Sequence, residues 1–309
     1  MNDIQRVIDE IYKKVKKLKN TGKNADYIPQ LKKVNPNLYA ISIYTVSGEE
    51  YDVGDCHTEV AIESVSKVFS LALALKTVGI SNMSKMVGTQ QTLSTFNSVS
   101  AIEDSANRTI NSFQNGGAMA TTSIYYDKNQ LKYEKKIFDN ISEFAGRKIT
   151  YSKQTFESEM SNIDHNLAIG YLLKSYGRFY GEVMPTIVAY TKQCSAMATS
   201  KDIAIMGATI ANYGVNPKTG KRVVEKKFIP YILAHMVGNG MYEYSETWMT
   251  YIGMPAKSGV GGAIMIVIPN MMGICIISPP LDKHGNSVKG IITAKHISEQ
   301  LHLGMFELH

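Results

Sequence analysis

A serine and a lysine three residues apart, in Ser64-Val65-Ser66-Lys67, form the one Ser-x-x-Lys of the chain. On a helix, residues at that spacing share a face one turn apart. A lysine held there can take the serine proton once burial and neighbouring charge lower its pKa, which makes the hydroxyl a nucleophile. The spacing alone is weak, since this Ser and Lys content gives about two such matches by chance. Lys257-Ser258-Gly259, immediately before a hairpin pattern, is a second signal. No Gly-x-Ser-x-Gly elbow occurs, so an α/β-hydrolase is not supported. No His-Glu-x-x-His exists either, and His296 and His302 read as surface or satisfied histidines rather than metal ligands. Cys56, Cys194 and Cys275 are odd in number and far apart, with no Cys-x-x-Cys. They suggest neither a disulfide framework nor a zinc knuckle, and fit a reduced, cytoplasmic setting. No metal or organic cofactor is implied.

The elements that must position these groups follow from hydrophobic periodicity. Ile4, Val7, Ile8, Ile11, Val15 and Leu18 fall on one face of a helix that Asn2 or Asp3 can cap. Leu38 to Val46 reads as a strand and turns at Ser47-Gly48 into a second near Glu50 to Val53. A helix is expected from Ser64 to about Val78. The region 80–235 is mostly helical, including Asn166 to Tyr176, Thr186 to Cys194 and Lys201 to Ala211. Gly262 to Ile268 and Met272 to Ser278 flank Pro269-Asn270 as a hairpin, and Val288 to Leu301 closes as a helix. Strands, a helical block, then strands and a helix give an α+β fold whose two ends share one antiparallel sheet. The sheet part spans about 1–65 and 236–309 and the helical lobe about 66–235, with a cleft between them as the natural site. Ser-x-x-Lys at a helix start and Lys-Ser-Gly on a strand are two of three signatures of the serine β-lactamases and penicillin-binding proteins. The third, Ser-Asp-Asn, has no counterpart, which disfavours a generic member of that group.

The bulk composition agrees with a globular enzyme. The chain has 309 residues, 44% hydrophobic and 19% charged, with a formal charge of +6. The basic excess reads as a Lys-rich solvated surface; no Arg cluster with interleaved aromatics points to nucleic acid. The N-terminal segment lacks the apolar core of a signal peptide, and no apolar run is read as long enough to span a bilayer.

Several blocks resemble the serine-dependent glutaminases over about residues 20–300. They are the run from Gly22 to Leu31, Phe96-Asn97, Asn115-Gly116-Gly117-Ala118, the run from Asn166 to Tyr171, the run from Pro255 to Gly262, and the run from Ser278 to Gly290. The resemblance implies hydrolysis of L-glutamine to L-glutamate and ammonia through an acyl-enzyme. It makes Ser64 the nucleophile, Lys67 its base and Tyr242 the donor to departing ammonia. The N–H groups of Ser64 and Val260 would form the oxyanion hole. Tyr27, Asn115, Glu159, Asn166 and Tyr190 would hold the amino-acid end of the substrate. A homodimer or homotetramer is implied as well. Glu159 suits an ammonium, and the Asn and Tyr donors suit a carboxylate.

Four departures stand out. Glu63 replaces the usual Gln before the nucleophile, and its charge is expected to raise the Lys67 pKa and weaken the base. His165 replaces an Arg, Ser112 a Pro, and the segment 89–94 has lost a Glu-Pro-Ser-Gly. They leave two alternatives: an amidohydrolase of this scaffold with shifted substrate, or a weakly active amino-acid-binding protein.

Overall fold

In the computed structural model, which describes residues 2–307 except 93 and 108, one antiparallel sheet joins the two ends of the chain. The strands are β1 (Ala40–Thr45), β2 (Glu50–Gly54), β3 (Val60–Ala61), β4 (Met197–Ala198), β5 (Ala256–Ser258), β6 (Ala263–Ile268) and β7 (Met272–Ile277). The five-stranded order is β2-β1-β7-β6-β5, and β3 pairs with β4 in a separate two-stranded sheet. Ala40 faces Ile277 and Thr45 faces Met272 across β1 and β7, so the sheet shared between the chain ends is present as expected. The hairpin turns lie where the sequence puts them, with Gly48 and Asn270 both at positive φ.

Strand side chains alternate between faces, and both faces here are apolar. Ile41, Ile43, Ile264, Ile266, Ile274 and Ile276 pack with Val7, Ile8 and Ile11 of the first helix (Asn2–Lys16) and Ala294 and Ile297 of the last (Val288–Leu301). Ala263, Met265, Cys275 and Ile277 join the opposite core, against the helix Ser200–Ala211. Fully burying each Ile is worth about 1.5–3 kcal/mol. The contact with Ser200–Ala211 is backbone-close: a Cβ at Gly273 would lie 2.2 Å from the Ala204 carbonyl oxygen. That helix falls inside the range read as helical lobe, yet it lies flat on the sheet and ties the two parts together.

Three expectations are corrected. The first helix ends at Lys16, so Leu18 lies beyond it and is exposed; Asp3 is inside the first turn and pairs with Arg6 rather than capping. The helix after Ser64 is longer than read. A 3₁₀ turn, Glu63–Val65, leads into Ser66–Met86, which continues past a break at Gly79, where φ is +74°. Glycine alone tolerates that conformation cheaply. Finally, Glu63–Met86 is long and apolar enough to cross a bilayer by length and composition, against the reading that no run is. Two thirds of its window is buried in this fold, packed on the helices Asn115–Ser123, Gln130–Ala145 and Ile229–Asn239, as suits a core helix.

Candidate active site

The two-stranded sheet aims Ser64. β3 is held on β4 through Val60 and Ala198, and Ile62 N–H donates to the Ala196 carbonyl at 2.9 Å. The chain then turns at Glu63, whose φ of +49° is left-handed for a residue with a Cβ, at a cost of about 1–3 kcal/mol. The Glu63 carbonyl accepts from Ser66 N–H and from Ser66 Oγ at 2.6 Å, which fixes the turn. Ser64 is thereby placed at the entrance of the core helix, one turn before Lys67.

Facing Ser64 is the loop that follows β5. A Cβ on Gly259 would sit 2.5 Å from the Ile62 carbonyl oxygen, and one on Gly261 2.2 Å from that of Ala61. Only glycine lets this loop lie against the nucleophile turn, and it brings Val260 to the cavity wall. Neither Ser64 N–H nor Val260 N–H has an acceptor among the described residues. Two such unspent donors beside a hydroxyl are what an oxyanion hole requires.

Lys67 is fully buried. Its ammonium donates to the Phe113 carbonyl at 2.9 Å and to Asn115 Oδ1 at 2.7 Å, and has no carboxylate partner among the described residues. Burial lowers it to about 8, with Cys194 and Glu63 pulling the other way. The expected effect of Glu63 thus exists but is outweighed: desolvation of a charged amine decides the net direction. Tyr242, also buried, lies beside Ser64 and donates to the Ser258 carbonyl at 3.4 Å; burial pushes its phenol up. Its φ of +55° is the second left-handed non-glycine conformation at the site. Under its ring lies Lys257 Nζ, 4.3 Å from the centroid and bonded to the Gly240 and Ser258 carbonyls at 3.0 and 2.6 Å. Burial, then repulsion from Lys67, lowers Lys257 well below the usual lysine range.

The remaining wall comes mainly from the helices that carry Asn115, Glu159, Asn166 and Tyr190. Tyr27, Ser64, Asn115, Glu159, Asn166, Tyr190 and Val260 all line one cavity of about 330 Å³, the size of a small-molecule site. Lys67 and Tyr242 stand behind Ser64 rather than on the lining. Asn115 begins the helix Asn115–Ser123, and its Oδ1 also accepts from Tyr190 OH at 3.3 Å. Glu159 accepts from Ser195 Oγ at 3.1 Å, and burial raises it to about 8. Glu63 faces it; burial, then the Glu159 charge, raises Glu63 well above the usual carboxylate range.

Of the altered positions, His165 and the segment around 89–94 are held by local bonds, whereas the buried Ser112 Oγ has no partner among the described residues. His165 Nε2 contacts the Asn97 carbonyl at 2.7 Å. Gly88 and Gln90 N–H donate to the Thr109 and Ile110 carbonyls; of the segment 89–94, residue 93 lies outside the described residues. Sequence reasoning missed two residues. Lys257 served only as half of a motif, and its place beneath Tyr242 needed three dimensions. Cys194, read as an ordinary free thiol, lines the cavity; a lone cysteine carries no positional signal in a sequence.

Comparison with known proteins agrees. The Glutaminase family model matches residues 22–306. A curated glutaminase of Mycobacterium ulcerans is 41% identical over 305 residues, covering 99% of this chain and 95% of the relative. Glutaminase 1 of Escherichia coli is 40% identical over 306 residues, covering 99% and 98%. A solved structure described as a probable glutaminase superposes with a TM-score of 0.97 at 40% identity, covering 99% of both chains. Mglu in its glutamate form gives 0.93 at 30% identity, covering 99% of this chain and 70% of that one. With Ser64, Tyr242 and the two buried lysines gathered on a β-lactamase-like α+β fold, and the match running along nearly the whole chain, this protein belongs to the glutaminase family.

Proposed function

We propose that this amidohydrolase cleaves the side-chain amide of free L-glutamine to L-glutamate and ammonia through an acyl-enzyme on Ser64. Neutral Lys67 takes the Ser64 proton as Oγ attacks the amide carbon. The charge on the carbonyl oxygen develops toward the N–H groups of Ser64 and Val260, where losing one donor costs about 10²–10³-fold in kcat. Tyr242, beside Ser64, passes its phenol proton to the amide nitrogen and regains one from protonated Lys67, so that the proton taken from Ser64 leaves with ammonia as the C–N bond breaks. Water then attacks the ester, its proton returning to Ser64 Oγ, and glutamate leaves.

The observation that carries this reading is Lys67, buried without a carboxylate partner among the described residues and lowered to about 8, one turn from a hydroxyl that opens on the cavity. A structure of Mglu in a glutamate form supports the recognition of that amino acid on this fold. Glu159 would read the substrate ammonium, and Asn115, Asn166, Tyr27 and Tyr190 its carboxylate and chain. The same reading takes the enzyme to work without nucleic acid or membrane, as a cytoplasmic homodimer or homotetramer; three buried free cysteines fit a reducing compartment. It also divides the chain into a sheet part, 1–65 and 236–309, and a helical lobe, 66–235.

Ammonia release from glutamine, measured beside glutamate binding by calorimetry, tests it. Ser64→Ala should lose turnover by at least about 10³-fold and still bind glutamate. A variant that kept ordinary turnover would remove Ser64 as the nucleophile.

A further inference from the structure

Glu63, Glu159 and Cys194 come from three separate elements: the strained turn, the helix Lys153–Met160 and the end of the helix Val183–Cys194. One ligand atom of each lies within 4.8 Å of the other two, and all three residues line the active-site cavity. Glu63 is only 3% exposed, yet its Oε1 has no hydrogen-bond partner among the described residues. An unmatched buried carboxyl oxygen costs about 1–3 kcal/mol or more, so the cavity floor carries an acceptor that no described residue satisfies. We propose that these three side chains form a site for a thiophilic divalent cation of the zinc type, and that the cation inhibits the enzyme by occupying the place of the substrate ammonium.

The ligand chemistry fits. Zinc binds thiolate at about 2.3 Å and carboxylate oxygen at about 2.0–2.2 Å, so side-chain rotations of less than about 1 Å close this triangle on one ion. A calcium- or magnesium-like ion wants six or more oxygens, which two carboxylates and a sulfur do not supply. Two of the three ligands have an outer support where zinc sites commonly have one: Ser195 Oγ donates to Glu159 Oε1 at 3.1 Å, and Ser66 Oγ to Cys194 Sγ at 3.9 Å. Three negative ligands would balance two positive charges on the ion and one on Lys67. Binding displaces the thiol and carboxyl protons to solvent and leaves a fourth position facing the cavity for water. The ion is then an inhibitor and no part of the reaction. The inhibitory half of the proposal rests on the glutaminase reading of the cavity; the coordination half does not.

The test uses cobalt(II) titrated into the whole protein after chelator treatment, together with zinc in the glutamine assay. A thiolate-to-cobalt absorption band in the near ultraviolet is expected, absent in Cys194→Ala. In Glu63→Gln the band should persist but need at least about tenfold more cobalt; this near-isosteric variant keeps the test usable if Cys194→Ala fails to fold. Zinc should raise the apparent KM for glutamine with kcat unchanged, and chelator should reverse it. Cobalt binding without that band, or a band unchanged in both variants, overturns the site. A band with zinc inhibition that glutamine does not relieve overturns the placement on the substrate ammonium. Absence of glutamine hydrolysis in metal-free protein would count against the glutaminase reading alone, because the band is read without substrate.

Discussion

The side of the site where Val260 lines the cavity, backed by Tyr242 and Lys257, and the wall that carries Glu159, Asn166 and Cys194 are built by different means. On the first, backbone does the positioning: a Cβ at Gly259 or Gly261 would come within 3 Å of the Ile62 or Ala61 carbonyl oxygen, so glycine lets the loop lie against the turn at Ser64, and Lys257 gives its ammonium to two carbonyls. Among the described residues the Ser64 and Val260 N–H groups have no acceptor, which leaves them for a ligand. On the second, side chains of three helices converge, and opposite them Glu63 presents a buried oxygen without a partner among the described residues. Preorganised donors suit a charge that appears only in the transition state, whereas unspent acceptors suit a cation already present in the ground state. Changes to the first wall and its lysine base should therefore act on kcat, and changes to the second on KM.

The largest effect expected is at Lys67. Lys67→Met removes the base and should lower kcat by about 10³-fold with KM within a few-fold, read by steady-state kinetics. Tyr242→Phe removes only the proton donor and should cost about 10²-fold, also in kcat. If it raised KM instead, Tyr242 would belong to the recognition wall and the contrast would fail. Glu159→Gln should raise KM about 10–100-fold, the value of one hydrogen bond to a charged group, with kcat within a few-fold. A fall in kcat alone would move Glu159 to the chemical side. The smallest effect is at Glu63. Because it raises the Lys67 pKa, Glu63→Gln should shift the acidic limb of the kcat profile to lower pH by less than about one unit.

The two walls were also unequally legible in the sequence. Local patterns gave the strands of the shared sheet nearly to the residue, because the Pro269-Asn270 turn and continuous β-branched runs are short-range signals. Ser64 and Lys67 announced themselves by spacing, but the spacing gains force only with Lys257 nearby in space. The helical wall was reached through family resemblance; Asn166 or Glu159 alone in a helical pattern carries no chemical mark. Nor could periodicity foresee that Glu63 and Tyr242 adopt left-handed backbone, since those conformations are imposed by tertiary contacts. The Glu63 argument erred in weight rather than direction: a sequence shows the neighbouring charge and not the burial that outweighs it.

The account stands on neutral Lys67 as the base for Ser64, and kcat at saturating glutamine across pH tests it most directly. Only the uncharged amine accepts a proton, so raising pH through about 8 increases the active fraction. The predicted profile climbs about tenfold per pH unit below that value and levels above it. A kcat that is flat from about pH 6 to about pH 9, or that falls across that range, would contradict it.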